Sequence, residues 1–186
     1  MTKKRFSVHD MVAVGLMAAL VFVFTYLHID IPTPLTNTML HLGNVMCLLA
    51  SLLFGSVRGG LAAGLGSMIY DMLDPRYLPT CWLTFLMKFA MGWVCGKLCG
   101  GSKHPVRRTL AAAAGSATYV LLYVAKTFVT NRYVNGYELE TVMATVATKG
   151  AASAFNGVVA VVGAVLLCTA ICPALERAGL FKGQRG

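Results

Sequence analysis

Three lysines and one aspartate lie inside long apolar stretches of this sequence, namely Lys88, Lys126, Lys149 and Asp71. A charged side chain at the centre of a membrane helix costs about 2.5–3.5 kcal/mol on insertion scales, so each of these groups requires a partner or a function. At about 1.5 Å of rise per residue, all four are predicted in the outer half of a membrane. Three cations against one acid leave positive charge, which a bound carboxylate or phosphate would balance.

Helical spacing places these charges on faces that carry further polar and aromatic side chains. The stripes are Tyr119, Tyr123, Lys126 and Thr130; Lys149, Ser153, Asn156 and Gly157; Thr84 with Lys88; and His41 with Asn44. Such stripes, at similar depths on neighbouring helices, would converge on one pocket that opens outward. The predicted substrate-binding residues are Lys88, Tyr123, Lys126, Lys149, Asn156, Thr84, Tyr119, His41, Asn44 and Asp71.

Each of these residues has a plainer explanation that the sequence leaves open. The lysines of the last two segments lie near enough to the surface to extend to lipid headgroups. Asp71 could pair with a lysine or cap its helix, and Asn156 could serve only a helix–helix hydrogen bond. Glu138 or Glu140 could fold inward and supply the negative charge that the lysines lack.

The composition is that of a multi-pass membrane protein. Of 186 residues, 57% are hydrophobic and 12% are charged, and the mean hydropathy is +0.69, whereas an ordinary soluble domain has about 25% charged residues. The net charge of +9 is concentrated at the termini and in alternate loops. This is the pattern that the positive-inside rule produces, so the charge predicts topology and not a nucleic-acid partner. The residues concerned are Lys3, Lys4, Arg5, Arg58, Lys97, Lys103, Arg107, Arg108, Arg177, Lys182 and Arg185.

We predict an all-α integral membrane protein with one domain, residues 1–186, six transmembrane helices and both termini in the cytoplasm. The predicted helices are 8–28, 39–55, 59–73, 80–98, 108–131 and 142–175. The second and third fall short of the roughly 20 residues of a full span, so we predict short or bent spans, with a re-entrant hairpin as the alternative. Gly55–Gly60 is predicted as a tight turn between them, and Pro32 and Pro34 predict an extended outer loop.

Three further features bear on function. Gly15 and Ala19, four residues apart on the first helix, form a small-residue patch that another helix, in this protein or in a partner, could approach closely. The six cysteines have neither the partners nor the number of ligands expected of a zinc site, so they are predicted as apolar filler and no metal is expected. No phosphate-binding loop of the Gly-x-x-x-x-Gly-Lys-Ser/Thr type occurs in the sequence.

The chain resembles the S components, the substrate-binding subunits, of energy-coupling factor (ECF) vitamin transporters. The resemblance extends from Ala13 to about Val165 and is strongest over residues 41–96. There the Leu-Gly-Asn start, the Phe-Gly-x-Val-x-Gly-Gly turn and the Gly-Ser-x-x-Tyr-Asp end recur as in such proteins, followed by the helix TFLMKFAMGWVCG. Ser56 stands in the turn where many relatives have proline.

The resemblance implies a six-helix fold in the bacterial cytoplasmic membrane, with a vitamin held near the outer face by the first loop and helices 4 to 6. It also implies that the patch at Gly15 and Ala19 docks on the transmembrane coupling subunit. Two separate ABC ATPases would then drive the whole subunit to topple, so that its pocket faces the cytoplasm. The chain itself needs no cofactor in this scheme.

A binding subunit of an ECF-type importer is thus the leading interpretation. A stand-alone secondary transporter or channel is the alternative, although the paired broken helices of many carriers are missing from the sequence. An integral membrane enzyme is a third, but no nucleophile, base and orienting group stand at recognisable spacing. The lysines favour an acid such as pantothenate, lipoate or nicotinate. The tyrosines equally suit a flat ring, as in pyridoxine, hydroxymethylpyrimidine or a queuosine precursor.

Overall fold

A bundle of six α-helices with a β-hairpin at one end makes up residues 7–35 and 37–177, the part of the chain that the computed structural model describes. The elements are α1 (Val8–Tyr26), β1 (His28–Pro32), β2 (Asn37–His41), α2 (Gly43–Phe54), α3 (Ser56–Leu73), α4 (Cys81–Cys99), α5 (Pro105–Val129) and α6 (Leu139–Arg177). A 3-10 turn, Leu78–Thr80, precedes α4, and a π-helical turn, Thr130–Val134, follows α5. The terminal basic residues used to predict topology, Lys3, Lys4, Arg5, Lys182 and Arg185, lie outside the described residues.

The predicted all-α membrane class is confirmed, with the hairpin as an addition. Within the described residues, four helical segments are long and apolar enough to cross a membrane: Val8–Tyr26, Leu78–Cys99, Pro105–Val134 and Leu139–Leu175. The helix α2 is shorter, and every residue from Gly43 to Leu52 is buried. A helix that is apolar all round can be buried on all sides, so α2 lies at the centre of the bundle. The count of six spans and the position of the termini remain predictions.

The start of α1 is fixed by local hydrogen bonds and by an ion pair. The Ser7 hydroxyl accepts from the Asp10 backbone N–H at 3.2 Å, and the Asp10 carboxylate accepts from the Ser7 N–H at 3.1 Å. This capping box satisfies backbone donors that the first helical turn leaves free. The Asp10 carboxylate also lies 3.1 Å from Arg58 Nε and so joins α1 to α3.

The turn between α2 and α3 is shorter than predicted. Only Gly55, with φ of 82°, separates the two helices. Glycine adopts this left-handed conformation without the steric cost that a side chain adds. The predicted turn is therefore wrong for residues 56–58, which are helical, and Arg58 belongs to the first turns of α3.

The glycines of α3 and α4 allow these two helices to pack with their backbones close together. A Cβ added at Gly64 would lie 2.8 Å from the Phe85 ring, and one at Gly60 would lie 3.1 Å from the Phe89 ring. A Cβ at Gly92 would lie 2.8 Å from the Cα of Gly60. Small residues give this close contact in lipid, where the hydrophobic effect does not drive helices together.

We expect Gly92→Ala to destabilise the bundle by about 1–3 kcal/mol, because the added methyl group would meet backbone atoms that must move. The measurement is thermal unfolding of the purified protein in detergent. Gly15→Ala is the matched control, since a Cβ at Gly15 meets nothing within 4 Å. Equal unfolding temperatures for the two variants would contradict the close α3–α4 contact.

The segment predicted as an extended outer loop forms an antiparallel hairpin. Its strands pair from His28 opposite His41 to Pro32 opposite Asn37. Pro32 has a fixed φ and no backbone N–H, which is compatible with the end of a strand and excludes a helix. The hairpin covers one end of the bundle, which we call the hairpin end.

Each of the six helices differs from its predicted bounds by one to four residues at one or both ends. The second helix begins at Gly43 and not at residue 39, because residues 39–41 continue β2. Consequently His41 is a strand residue and does not share a helix face with Asn44. The last helix begins at Leu139 and continues through Pro173.

Candidate functional site

A cavity of about 310 Å³ lies at the hairpin end of the bundle. Its volume falls at the lower end of the range of about 300–1,000 Å³ that is usual for small-molecule sites. The structure brings all ten predicted substrate-binding residues to its wall: Lys88, Tyr123, Lys126, Lys149, Asn156, Thr84, Tyr119, His41, Asn44 and Asp71. Contact between these residues and a substrate remains a prediction.

Lys88, on α4, is the most deeply buried lysine of the cavity, with 2% of its surface exposed. Its ammonium group donates a hydrogen bond to the Asn44 side-chain oxygen on α2. The same group lies 3.9 Å from the centre of the Tyr119 ring on α5, which is a cation–π contact. Lys88 therefore connects three helices at the cavity wall, and among the described residues it forms no ion pair.

Two tyrosines of α5 form an aromatic wall. The rings of Tyr119 and Tyr123 are 5.8 Å apart at an interplanar angle of 17°. Their spacing of four residues places them one above the other on the helix, as the sequence predicts. The Tyr123 hydroxyl lies 3.4 Å from the Thr38 hydroxyl on β2, so the aromatic wall also contacts the hairpin.

The other two lysines also line the cavity. Lys126 Nζ donates to the Thr80 hydroxyl at 3.0 Å. Lys149 is 8% exposed and lines the cavity from α6. Both lysines line the same cavity and carry the same charge, so they repel each other. Lys149 is therefore too deeply buried to extend to headgroups, and Lys126 is hydrogen-bonded at the cavity wall.

The acids near the cavity do not balance these cations. Asp71 is buried in the wall and forms no ion pair with a lysine in the described part of the chain. Glu138 and Glu140, which could have folded inward, are both exposed. The cavity is thus lined by three lysines against one carboxylate, with Arg76 at its rim.

Asn156 attaches the hairpin to α6. Its side-chain NH₂ donates to the Met39 carbonyl at 2.9 Å, and its side-chain oxygen accepts from the His41 N–H at 3.3 Å. The amide thereby pairs with one backbone carbonyl and one backbone N–H of β2. Asn156 is more than a helix–helix contact, because it fixes the strand that roofs the cavity.

His41 is an uncharged group at this roof. Burial, with a smaller contribution from Lys88, lowers the pKa of His41 to about 3. Its Nδ1 accepts a hydrogen bond from the Gly43 N–H at 3.1 Å, which places the ring proton on Nε2. Among the charges of the site, His41 therefore adds none at neutral pH.

An ion-pair network connects the middle of β1 to the loop after α3. Arg76 lies 2.9 Å from the Asp30 carboxylate on β1 and 2.7 Å from that of Asp74. Hydrogen bonds from Arg76 lower the pKa of Asp74, and the pKa of Arg76 is raised in turn by Asp74 and then by Asp30. The Tyr77 hydroxyl donates to the Asn37 carbonyl at 3.5 Å.

Sequence reasoning missed several residues of the wall. They include Thr38, Tyr77, Thr80, Thr127 and Asn131. A signal for two of them was available, since Tyr123, Thr127 and Asn131 follow one another at four-residue spacing. The π-helical turn at Thr130–Val134 could not have been read from spacing alone, and it brings both Thr130 and Asn131 to the cavity.

The small-residue patch lies away from this cavity, on the outside of α1. Gly15 and Ala19 are both exposed, and a Cβ at Gly15 would meet nothing within 4 Å. The face of α1 that packs inside the bundle is a different one, formed by Val14, Met17 and Val21. The patch is thus available to another protein in the membrane.

No group of three His, Cys, Asp or Glu side chains within the described residues is arranged to hold a metal ion. The cysteines are free, and four of them are buried in the bundle. Cys168 Sγ and Cys172 Sγ are 3.6 Å apart on successive turns of α6, next to Arg108 Nη2 at 3.5 Å from Cys172.

Comparison with known proteins gives one family. Residues 5–172 match the family described as ECF-type riboflavin transporter, S component. A Pyrococcus woesei protein described as "Uncharacterized protein in gap 3'region" is 30% identical over 105 residues, which are 56% of this chain and 70% of that protein.

A solved structure, described as the S component of a bacterial ECF transporter, has the same fold. Its TM-score is 0.68 at 17% sequence identity, over 90% of this chain and 97% of that one. The family match covers most of the sequence, and the apolar helices fit a membrane protein. This chain therefore belongs to the family of ECF-type riboflavin transporter S components, and it is a membrane-embedded, substrate-binding transport subunit, not an enzyme.

Proposed function

We propose that this subunit captures a vitamin-like micronutrient with a flat ring in the cavity at the hairpin end, which faces the outside of the cell. The stacked pair Tyr119–Tyr123, with Lys88 over one ring, is the observation that carries the proposal. Offset aromatic stacking and cation–π contacts favour a planar ligand. Riboflavin, which the family description names, is the first compound to test.

The hairpin is proposed to close over the bound ligand. Asn156 holds β2 on one side, and the Arg76–Asp30 ion pair holds β1 on the other. The ion pair is partly exposed, and such pairs contribute about 0–1 kcal/mol. It is therefore the weaker of the two attachments, and opening is expected on the Arg76 side.

Transport is proposed to require partners. The exposed patch at Gly15 and Ala19 docks on a transmembrane coupling subunit, and two ABC ATPases supply the energy. The subunit then topples in the membrane, so that the cavity opens to the cytoplasm. The apolar outer surfaces of the helices are compatible with such a rotation in lipid, because they have few charges to bury.

The test is native mass spectrometry of the purified subunit, followed by binding measurements with the compound that co-purifies and with riboflavin. We expect nanomolar binding without chemical change of the ligand. In liposomes, uptake is expected only when the coupling subunit and ATPases are present. Uptake by the chain alone would instead indicate a stand-alone carrier or channel, and turnover of the ligand would indicate an enzyme.

A further inference from the structure

We propose that the cavity contains an oxyanion subsite on α6, formed by Lys149 and Ser153 with help from Lys126, and that the substrate carries a carboxylate or a phosphate. This inference rests on the proposed function, because it concerns the ligand of the same cavity. Beyond the proposed function, it specifies that the ligand carries negative charge and where its acidic group binds.

The Ser153 hydroxyl is the first observation. It lines the cavity, the residue is 5% exposed, and its oxygen has no hydrogen-bond partner among the described residues. It is the one buried side-chain nitrogen or oxygen in that part of the chain of which this is true. An unpaired buried hydroxyl costs about 1–3 kcal/mol, so a group on a ligand is the natural partner.

Lys149 is the second observation. It precedes Ser153 by one helical turn, so both side chains lie on the same face of α6. Lys149 is buried, and it makes no hydrogen bond or ion pair with any described residue. An ammonium group and a hydroxyl at this spacing both donate to an anionic oxygen, and hydrogen bonds to charged groups are the stronger ones.

The single acid of the cavity does not compensate Lys149. Asp71 interacts electrostatically with Lys88 and Lys126. The charge that acts on Lys149 is instead that of Lys126, which repels it. Positive charge is therefore left over at the Lys149 side of the cavity, and an anion there would relieve the repulsion between the two lysines.

The two parts of the cavity would then bind different parts of one molecule. The aromatic wall of Tyr119 and Tyr123 on α5 takes the ring, and Lys149 with Ser153 on α6 takes the acidic group. The expected class is a small ring compound with one carboxylate or phosphate. A carboxylate has two acceptor oxygens and a phosphate three, and either suits two donors.

The first arm of the test uses simple oxyanions as probes. Inorganic phosphate and acetate, each against chloride at equal ionic strength, are expected to raise the Tm of the purified subunit by a few degrees, and the more effective salt identifies the acid. Lys149→Gln is expected to remove this shift, while Lys97→Gln, at an exposed position of α4, keeps it. Equal Tm values in all three salts, or a shift that survives Lys149→Gln, would overturn the subsite.

Ser153→Ala separates a binding role from a structural one. Removing an unpaired hydroxyl is expected to leave the Tm of the ligand-free protein unchanged or higher, yet to weaken the binding of the anion severalfold. A loss of Tm in the free protein without any change in the response to phosphate or acetate would contradict the assignment.

The second arm uses matched pairs of ring compounds that differ in the acidic group, nicotinate with nicotinamide and riboflavin 5′-phosphate with riboflavin. The acidic member of the pair that binds is expected to be at least about tenfold tighter, through one charge-assisted hydrogen bond. Tighter binding of the neutral member would refute the oxyanion subsite while leaving the capture function in place. The proposed capture function would be refuted separately if no small molecule co-purified and no compound bound. In that case the comparison of phosphate, acetate and chloride would still test the oxyanion subsite.

Discussion

Lys88→Met is expected to weaken binding of the natural substrate about 100-fold without unfolding the protein. Lys88 is buried in the wall of the cavity, where it contacts Asn44 and the Tyr119 ring. Methionine keeps most of the side-chain volume and removes the ammonium group. A hydrogen bond between that charged group and the substrate would contribute about 1.5–3 kcal/mol to binding. A 100-fold change corresponds to about 2.7 kcal/mol, which lies within that range. The measurement is isothermal titration of the co-purified compound.

The stability of this variant provides a separate readout. A buried cation without an anionic partner carries a desolvation cost, so its replacement by an apolar side chain is expected to keep or raise the Tm. Lys88→Gln retains a donor for Asn44 but lacks the charge, and it should bind as weakly as Lys88→Met if charge is what matters. Lys97→Met, on the exposed surface of the same helix, is the matched control. Undiminished affinity in Lys88→Met would refute the role of Lys88.

The site could be predicted to a large extent because it is built on helices. Residues three or four apart in the sequence lie on the same face of a helix. This rule alone placed Lys88, Tyr123 and Lys149 on their faces. The cost of a charge in lipid then selected these residues as candidates for a binding site, since a charge within a membrane needs a partner. Both arguments are local, and neither requires knowledge of which helices are neighbours.

The roof of the cavity could not be predicted, because it depends on contacts between distant parts of the chain. Asn156 is 117 residues from Met39, and Arg76 is 46 residues from Asp30. Proline at position 32 predicts an extended backbone but not the strand with which it pairs. The error at the start of the second helix has the same origin, since His41 is held in a strand by α6.

Glycine was the other source of error in the predicted helix bounds. It can either end a helix or allow close packing of two helices, and the sequence does not distinguish these two roles. Gly55 ends a helix through its positive φ, whereas Gly60 permits the close approach of another backbone. Adjacent glycines at positions 59 and 60 resemble a turn when read in isolation. In lipid they serve helix packing, and α3 is accordingly longer than predicted.

Gly15→Leu is expected to abolish ATP-dependent uptake and to leave substrate binding unchanged within about twofold. A side chain at Gly15 points into open space in the isolated subunit, so the fold accommodates leucine. Leucine is also a better helix former than glycine, by about 0.8–1.0 kcal/mol or slightly less. In the assembled transporter the same side chain would hold the partner helix away, because small-residue contacts depend on close approach of two backbones.

Three measurements on one variant distinguish docking from binding. These are the affinity for the substrate, co-purification with the coupling subunit, and uptake into liposomes that contain the complete transporter. Ala113→Leu places the same side chain at an exposed position of α5 and is expected to leave all three unchanged. Intact uptake in Gly15→Leu would refute docking through this patch, whereas weakened binding would show that α1 affects the cavity. Separate loss of transport is the result expected if capture and delivery use opposite sides of the same small subunit.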